Sequence, residues 1–258
     1  MMTLQQQYIS FVTIVVKEIM RFMRIWVQTV LPATITMGLY FVIFGNLIGS
    51  QIAPIHGYRY IDYIVPGIIL MAVITNSYGN VVSSFFSSKF QRHIEEMLVS
   101  PMPNYLIVLG FVAGGLARGL VVGLAVSIVS AFFSEIQIQH LWVVVAVVVL
   151  TSVLFSLGGF INAVYAKNFD DIALIPTFVL TPLTYLGGIF YSVEMLPEFW
   201  QSISYANPIL YMINAMRYGM LGVSDIDVTT AFVIIIGFVI GLYLFCIYLL
   251  RRGTGTRQ

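Results

Sequence analysis

Charged residues are scarce in this sequence. Asp, Glu, Lys and Arg make up only 9% of its 258 residues, and hydrophobic residues make up 59%, whereas soluble domains carry about 25% charged residues. The few charges fall in short clusters between long uncharged runs. This composition excludes a soluble globular protein and predicts a polytopic membrane protein with a single domain, residues 1–258.

The motifs of a self-sufficient enzyme or pump are also missing. A single cysteine, Cys246, excludes an intramolecular disulfide framework and a Cys-rich metal cluster. The motif G-x-x-x-x-G-K-S/T does not occur, and the dipeptide Gly-Lys is absent, so we expect that this chain does not bind ATP phosphates itself. We predict no catalytic residue, metal ligand or cofactor in this chain. The apolar stretches contain no internal Asp or Glu, so the energy for any uphill movement is expected from a partner.

Six apolar stretches are long enough to cross a bilayer as helices, which takes about 20 residues. They are residues 30–48, 63–84, 106–133, 141–165, 172–192 and 228–250. A seventh stretch, residues 199–216, carries several polar residues and is interrupted by Pro208. We expect this stretch to form two half-helices that enter the membrane and return.

The basic residues support six spans over seven. With six spans, one face of the membrane receives nine Lys and Arg residues and the other receives only Arg59 and Arg217. The nine are Lys17, Arg21, Arg24, Lys89, Arg92, Lys167, Arg251, Arg252 and Arg257. Because basic residues favour the cytoplasmic face, both termini, including the tail 251–258, are predicted to be cytoplasmic.

Residues 1–29 predict an amphipathic helix at the cytoplasmic interface. Lys17, Arg21 and Arg24 share one narrow face of a helix over residues 8–24, and apolar residues fill much of the remainder. A helix of this type lies in the interface rather than crossing the membrane. Two roles remain open for it: a topology anchor held by anionic lipid, or an elbow that contacts a cytoplasmic partner.

The connector between the second and third stretches predicts a short amphipathic helix from Lys89 to Val99. Its apolar residues follow a helical period, and charged residues occupy the other side. We interpret this helix as a surface for a soluble subunit, and a solvated connector is the alternative. The residues assigned to the surface are Lys89, Phe90, Arg92, Ile94, Glu95, Glu96 and Met97.

Arg118 is the one charged residue deep inside an apolar stretch, and Gly114, Gly115 and Gly119 surround it. Because a lone Arg in hydrocarbon is costly, it is expected to face protein or water. Two readings remain open. Arg118 binds an anionic substrate group or lines a wet cavity, or it bonds to carbonyls of a neighbouring helix that the glycines allow to pack closely.

Several short segments along the chain form a set. They are Ile64-Val65-Pro66-Gly67, residues 92–101 with Glu95-Glu96-Met97-Leu98-Val99-Ser100-Pro101, Phe169-Asp170-Asp171, residues 184–191, Leu196-Pro197, Asn207-Pro208-Ile209-Leu210-Tyr211 and Arg217-Tyr218-Gly219. With this set in this order, the sequence resembles ABC-2 type permeases, the membrane subunits of ATP-binding-cassette exporters. Within them it is similar to the YadH-like and the nodulation-factor exporter permeases.

The resemblance implies an all-α membrane protein of the ABC-2, type V exporter-like fold. That fold has six transmembrane helices, an N-terminal amphipathic interface helix, a cytoplasmic coupling helix between spans two and three, and re-entrant half-helices before the last span. The resemblance further implies a homodimer with two copies of a soluble ABC ATPase that binds ATP and Mg²⁺. Candidates for an outer gate are Asn207, Pro208, Tyr211 and Arg217.

The expected function is export of an amphipathic or lipid-linked substrate, such as a glycolipid, a lipo-oligosaccharide or a drug, across the bacterial inner membrane. Expected partners are the second copy, the ATPase, the lipid bilayer and the substrate, and no nucleic acid. The alternative is a non-ABC polytopic membrane protein, either a channel or a structural partner.

Overall fold

The computed structural model describes residues 2–253, apart from the side chain of Asn46, as helices joined by short connections. The helices are α1 (Leu4–Arg24), α2 (Trp26–Thr29), α3 (Leu31–Tyr40), α4 (Tyr60–Phe90), α5 (His93–Val99), α6 (Asn104–Ser130), α7 (Leu141–Tyr165), α8 (Asp171–Ile175), α9 (Thr181–Leu186), α10 (Glu198–Tyr205), α11 (Pro208–Leu221) and α12 (Val228–Arg252). One π-helix, Phe41–Ile48, continues α3, and another, Pro176–Leu180, joins α8 to α9. Arg257 and the rest of the predicted tail beyond Gly253 lie outside the described residues.

Five helical stretches in residues 2–253 are long and apolar enough to cross a membrane. They are Trp26–Gln51, Tyr60–Phe90, Asn104–Ser130, Leu141–Tyr165 and Val228–Arg252. Each coincides with one of the six stretches predicted from the sequence. The prediction of an all-helical, multi-pass membrane protein is confirmed.

The remaining predicted stretch, residues 172–192, is shorter as a helix than expected. Its helical part, Asp171–Leu186, stops well before residue 192. Two glycines follow Leu186, and Gly188 has a φ of 79°, in a region that glycine adopts without steric cost. The predicted end of this helix is therefore wrong. Most of the chain immediately after it, from Gly187 to Ser192, is buried or half-buried without being helical.

α4 is the central helix of the bundle. Within its most apolar window 83% is buried, against 22% for α12 and 18% for Trp26–Gln51. At its contacts with α6 and α7, Gly119 lies against Ser77 and Ser152. Small residues of this type let helices approach closely in a membrane. The two peripheral stretches leave most of their apolar surface for lipid or another subunit.

α1 runs alongside the first half of α6. The Tyr105 hydroxyl donates to Gln7 Oε1 at 2.7 Å, and further along α1, Ile14 packs against Gly110. The contacts advance together on both helices, and α6 thereby buries one side of α1. The place of α1 at the cytoplasmic interface stays a prediction.

α10 and α11 occupy the stretch predicted to form two half-helices. The interruption at Pro208 is confirmed: Pro208 is the first residue of α11, where a helix needs no N–H. The Asn207 side chain caps this helix by accepting the Ile209 N–H at 3.0 Å. α11 continues past residue 216 to Leu221 and ends at Gly222, which has a φ of 74°.

α12 has charges that suit both of its ends. The Asp227 carboxylate accepts the Thr230 N–H at 2.8 Å and its hydroxyl at 3.0 Å, and these bonds lower the pKa of Asp227 below its ordinary value. Arg251 and Arg252 occupy the last turn. A negative group at the N-terminus and positive groups at the C-terminus both stabilise the helix through its dipole.

Candidate functional site

One face of α4 is open in an otherwise buried helix. Thr75 is exposed, and Met71, Gly79, Ser83 and Ser87, which follow one another at the same four-residue steps, are half-buried. The hydroxyls of Thr75 and Ser83 donate to carbonyls one turn earlier, at 2.9 and 2.7 Å. We call Thr75, Gly79, Ser83 and Ser87 the polar stripe. Small and hydroxyl residues are typical of a face that meets another helix or water rather than lipid.

Aromatic side chains join the first and fifth apolar segments near the N-terminal end of α4. The Tyr40 and Tyr185 hydroxyls are 3.2 Å apart, and the rings of Phe44 and Phe190 stack with centroids 4.5 Å apart. The Tyr60 hydroxyl of α4 donates to the Phe190 carbonyl at 3.0 Å. We call Tyr40, Phe44, Tyr185 and Phe190 the aromatic cluster. It ties together two segments that leave much of their remaining surface exposed.

Arg118 points to α4. Its Nη2 donates to Asn76 Oδ1 at 2.9 Å, and one turn further along α4, Arg21 Nη2 donates to Asn80 Oδ1 at 2.8 Å. We call Arg21 and Arg118 the arginine pair. The side-chain bond to Asn76 takes the place of the carbonyl contacts considered from the sequence, and Asn76 directly follows Thr75 of the polar stripe.

The three basic residues assigned to the N-terminal helix have different surroundings. Lys17 and Arg24 are exposed, whereas Arg21 is half-buried between α1 and α4. A neighbouring acid explains the difference: the Arg21 Nε lies 3.4 Å from Glu18 Oε2. Glu18 itself is fully buried and accepts the Ser84 hydroxyl at 2.7 Å. A contact with lipid or a partner therefore stays a prediction for Lys17 and Arg24.

The predicted helix from Lys89 to Val99 is wrong in its bounds. α4 runs through Phe90, and Arg92 then adopts a left-handed conformation with a φ of 64° before α5 begins at His93. Lys89 does not face a partner, because its Nζ donates to the carbonyls of Val164 and Ala166, both at 2.7 Å, at the end of α7. Lys89 thus ties α4 to α7.

The other residues assigned to the connector divide by exposure. Ile94 is only 1% exposed, so it anchors α5 to the bundle and is not available to a partner. Arg92 and Glu96 are exposed, and Glu95 and Met97 are half-buried. Within α5 the exposed side chains are therefore His93, Glu96 and Val99.

An apolar surface lies beside α5. Phe90 is 63% and Phe169 is 53% exposed, and their ring centroids are 5.3 Å apart. Phe86, which is 1% exposed, packs beneath these rings, and its ring centroid lies 4.9 Å from that of Phe169 in an edge-on arrangement. We call Phe90 and Phe169 the phenylalanine patch. Exposed aromatic pairs of this kind at the end of a bundle are typical of interaction sites.

Arg217, a candidate for the outer gate, is buried in a charged cluster. It is 1% exposed, and its Nη2 donates to the Gly188 carbonyl at 2.8 Å. The guanidinium lies 3.8 Å from the Tyr63 ring centroid and from Asp225 Oδ2, and His56 Nε2 lies 3.3 Å from the other Asp225 oxygen. Arg217 therefore ties α11 to α4 and to the chain after α9.

The other outer-gate candidates also make contacts within the chain. Asn207 Nδ2 donates to the Leu183 carbonyl at 2.6 Å, which joins α11 to α9. The Tyr211 hydroxyl donates to the Tyr205 carbonyl at 2.7 Å, and Pro208 opens α11. A gating role for these residues stays a prediction.

Sequence reasoning did not assign the polar stripe or the aromatic cluster to a site, and it also missed Asn76, Glu18, Asp225 and the role of Phe169. Glu18 had a signal, because it stands four residues from both Ile14 and Phe22 on the buried face of α1. Asp225 and Phe169 lie in connections, and no periodicity marks a buried carboxylate or an exposed aromatic there.

Comparisons with known proteins point to one family. The model of the ABC-2 type transporter family matches residues 9–221. The inner membrane transport permease YadH of Escherichia coli K12 is 57% identical over 252 residues, which cover 97% of this chain and 98% of that protein. Nodulation protein J of Neorhizobium galegae is 25% identical over 209 residues, which cover 81% and 80% of the two chains.

Proposed function

Since this chain belongs to the ABC-2 type transporter family, we propose that it is the membrane-spanning permease subunit of an ATP-binding-cassette exporter in a bacterial inner membrane. The resemblance seen in the sequence is confirmed at the level of the family, and this argues against a non-ABC membrane protein. The proposed cargo is an amphipathic or lipid-linked molecule, such as a glycolipid, a lipo-oligosaccharide or a drug.

The polar stripe is the observation that carries this proposal. It runs along the central helix, and the two segments beside it, Trp26–Gln51 and Asp171–Leu186, pack loosely on the rest of the chain. A face of this kind suits the polar part of an amphipathic cargo, while the apolar part remains near lipid. The aromatic cluster then serves as the closure of the pathway at the outer end.

A second copy of the chain is proposed to cover the open face. Leu31, Ile35, Leu39, Leu174 and Phe178 are exposed on the two segments beside the polar stripe. Pairing two copies through these segments encloses two polar stripes between apolar walls. Such a dimer has the two-fold symmetry common among homo-oligomers.

A separate ATPase is proposed as the energy source. This chain has no phosphate-binding motif, and ATP with Mg²⁺ is assigned to the partner. The phenylalanine patch, with the exposed charges Arg92 and Glu96 beside it, supplies an apolar centre and a polar rim. This is the composition of an interface in which a few central residues dominate binding.

Six spans with both termini in the cytoplasm are proposed as the topology. Asp171–Leu186 alone covers about 24 Å at 1.5 Å per residue, less than the roughly 30 Å hydrocarbon core. The non-helical chain after it completes the crossing, since irregular backbone is tolerated in a membrane where protein buries it. Lys17, Arg24, Lys167 and Arg251 then lie on the cytoplasmic face, as the charge bias requires.

Cysteine labelling tests this topology. In a Cys246→Ala background, the exposed Ser202 of α10 and the exposed Gln91 before α5 are replaced one at a time by Cys. We expect a membrane-impermeant maleimide to label Ser202→Cys in intact spheroplasts and Gln91→Cys only after the membrane is opened. Labelling of Gln258→Cys in intact spheroplasts contradicts the six-span topology.

Reconstitution tests the function itself. The chain is co-expressed with a candidate soluble ABC ATPase from the same genome, and the purified sample is examined by native mass spectrometry and in liposomes. We expect two permease chains with two ATPase chains, and ATP-dependent translocation of a fluorescent glycolipid that an ATPase variant unable to hydrolyse ATP does not support. A permease that purifies without the ATPase and moves the probe without ATP contradicts the proposal.

A further inference from the structure

The arginine pair lacks one negative charge. Their partners Asn76 and Asn80 stand one turn apart along α4, about 6 Å by helix geometry, and Glu18 is the carboxylate within ion-pair distance of Arg21. Among the described residues, Arg118 has no carboxylate within ion-pair distance. A charge in a membrane-spanning helix is costly unless it is paired, so a further anion is favoured at this position.

The arginine pair is only partly buried. The Arg21 side chain is 31% exposed, and Arg118 is half-buried. Neither guanidinium group is sealed inside the bundle, so a small anionic group is able to reach both of them.

Hydrogen-bond donors remain for a ligand. Within the described chain, only Nη2 of each arginine donates to a protein acceptor. The Nε atoms are buried, and Nε of Arg21 faces Glu18, so Nη1 of each arginine is the donor left for a ligand. Arginine forms strong, paired hydrogen bonds with phosphate oxygens, and a planar guanidinium matches their geometry. An acceptor with several negatively charged oxygens fits these donors better than a carbonyl does.

We propose that the arginine pair binds a phosphate group, carried by a lipid or lipid-linked molecule or present as free phosphate. The site lies about 15 Å along α4 from Phe90, by its helical rise, with apolar helices around it. This inference deepens the proposed function by naming a phosphate-bearing cargo class, and it rests on that function only in assigning the bound molecule as cargo. Binding itself is testable without transport.

Binding of dodecyl phosphate to the purified full-length chain is the measurement. We expect saturable binding to the wild-type protein in maltoside micelles and about tenfold or greater weakening in Arg118→Gln, because a charge-assisted bond is lost. Lys17→Gln is the matched control: it removes an exposed positive charge one turn before Arg21 and is expected to change the affinity less than twofold. Dodecyltrimethylammonium, which has the same chain and the opposite charge, is expected not to bind saturably.

A second variant keeps the test decisive where Arg118→Gln folds poorly. Asn76→Asp preserves the shape of the Arg118 partner and supplies the missing negative charge within the protein. We expect it to raise thermal stability and to weaken dodecyl phosphate binding by about tenfold or more. Wild-type affinity in both Arg118→Gln and Asn76→Asp overturns the proposal.

Two further arms identify the source of the phosphate. Inorganic phosphate that competes with dodecyl phosphate at similar concentration identifies a free anion, and failure to compete identifies a lipid-borne group. Phospholipid that co-purifies with the wild-type chain and is lost in Arg118→Gln assigns the group to the bilayer. If dodecyl phosphate binds as expected and transport fails, the proposed function is wrong while the phosphate site stands. If transport occurs and dodecyl phosphate does not bind, only the phosphate site is rejected.

Discussion

Gly159→Ala is expected to destabilise the bundle strongly, whereas Gly158→Ala is expected to leave it intact. A Cβ at Gly159 meets the Tyr78 carbonyl oxygen at 2.5 Å and the Val82 nitrogen at 3.3 Å. Both atoms are backbone of α4, so no side chain is able to rotate away and α4 and α7 must separate. Overpacking of this type costs about 1–3 kcal/mol and sometimes more.

The neighbouring glycine supplies a matched control in the same helix. A Cβ at Gly158 meets only the Tyr78 ring, at 3.7 and 3.8 Å, which is ordinary contact, and Ala is the better helix former. The measurement is the thermal unfolding midpoint of each purified variant in detergent, with size-exclusion chromatography as the check for a folded species. Equal midpoints for the two variants contradict the close packing of α4 on α7.

The sequence predicted the long spans well because their ends carry strong signals. Residues 141–165 were predicted with the bounds that α7 has, since His140 and Lys167 flank an unbroken apolar run. The fifth stretch was predicted too long. Gly187 and Gly188 do not interrupt its apolar pattern, but the helix ends at them because of the backbone conformation there. Hydropathy measures where a chain prefers lipid and is insensitive to where its helix stops.

The predicted helix from Lys89 to Val99 was wrong in its bounds for a different reason. The spacing of Phe90, Ile94 and Met97 fits one continuous helix, and neither Gly nor Pro marks the break at Arg92. The break follows from tertiary contacts: Lys89 is held by the end of α7, and Ile94 is buried against the bundle. A periodicity argument has no access to contacts of this kind.

The candidate sites show the same division between local and long-range information. Arg118 was found from the sequence because a single charge stands out in an apolar run. Its partner Asn76 and the neighbouring Arg21 come from other helices, and one sequence does not specify which faces meet. Arg217 was counted as an outer-loop charge and is instead buried against Tyr63, because α11 extends further than its apolar pattern indicated.

Phe90→Ala and Phe169→Ala are each expected to weaken binding of the ATPase by about 2 kcal/mol, roughly thirtyfold in Kd. The reason is that truncation removes the apolar surface that the ATPase would bury at the centre of the contact, which costs most of the binding free energy. Removing a solvated charge at the rim costs little binding free energy. Glu96→Ala, an exposed rim residue on α5, is the matched control and is expected to keep near wild-type affinity. The measurement is co-purification of the ATPase and ATP-dependent transport for each variant.

Ile94→Ala and Met97→Ala separate a direct contact from an indirect one. Ile94 is buried and holds α5 on the bundle, so its truncation is expected to lower the thermal stability of the permease alone, which the two Phe variants leave unchanged. Met97 is half-buried and is expected to give a smaller loss of ATPase binding than Phe90. If the Phe variants bind the ATPase as the wild type does, the phenylalanine patch is not the docking surface. The exposed basic residues of α1, Lys17 and Arg24, then become the next segment to test, because they are the other residues assigned to a cytoplasmic contact.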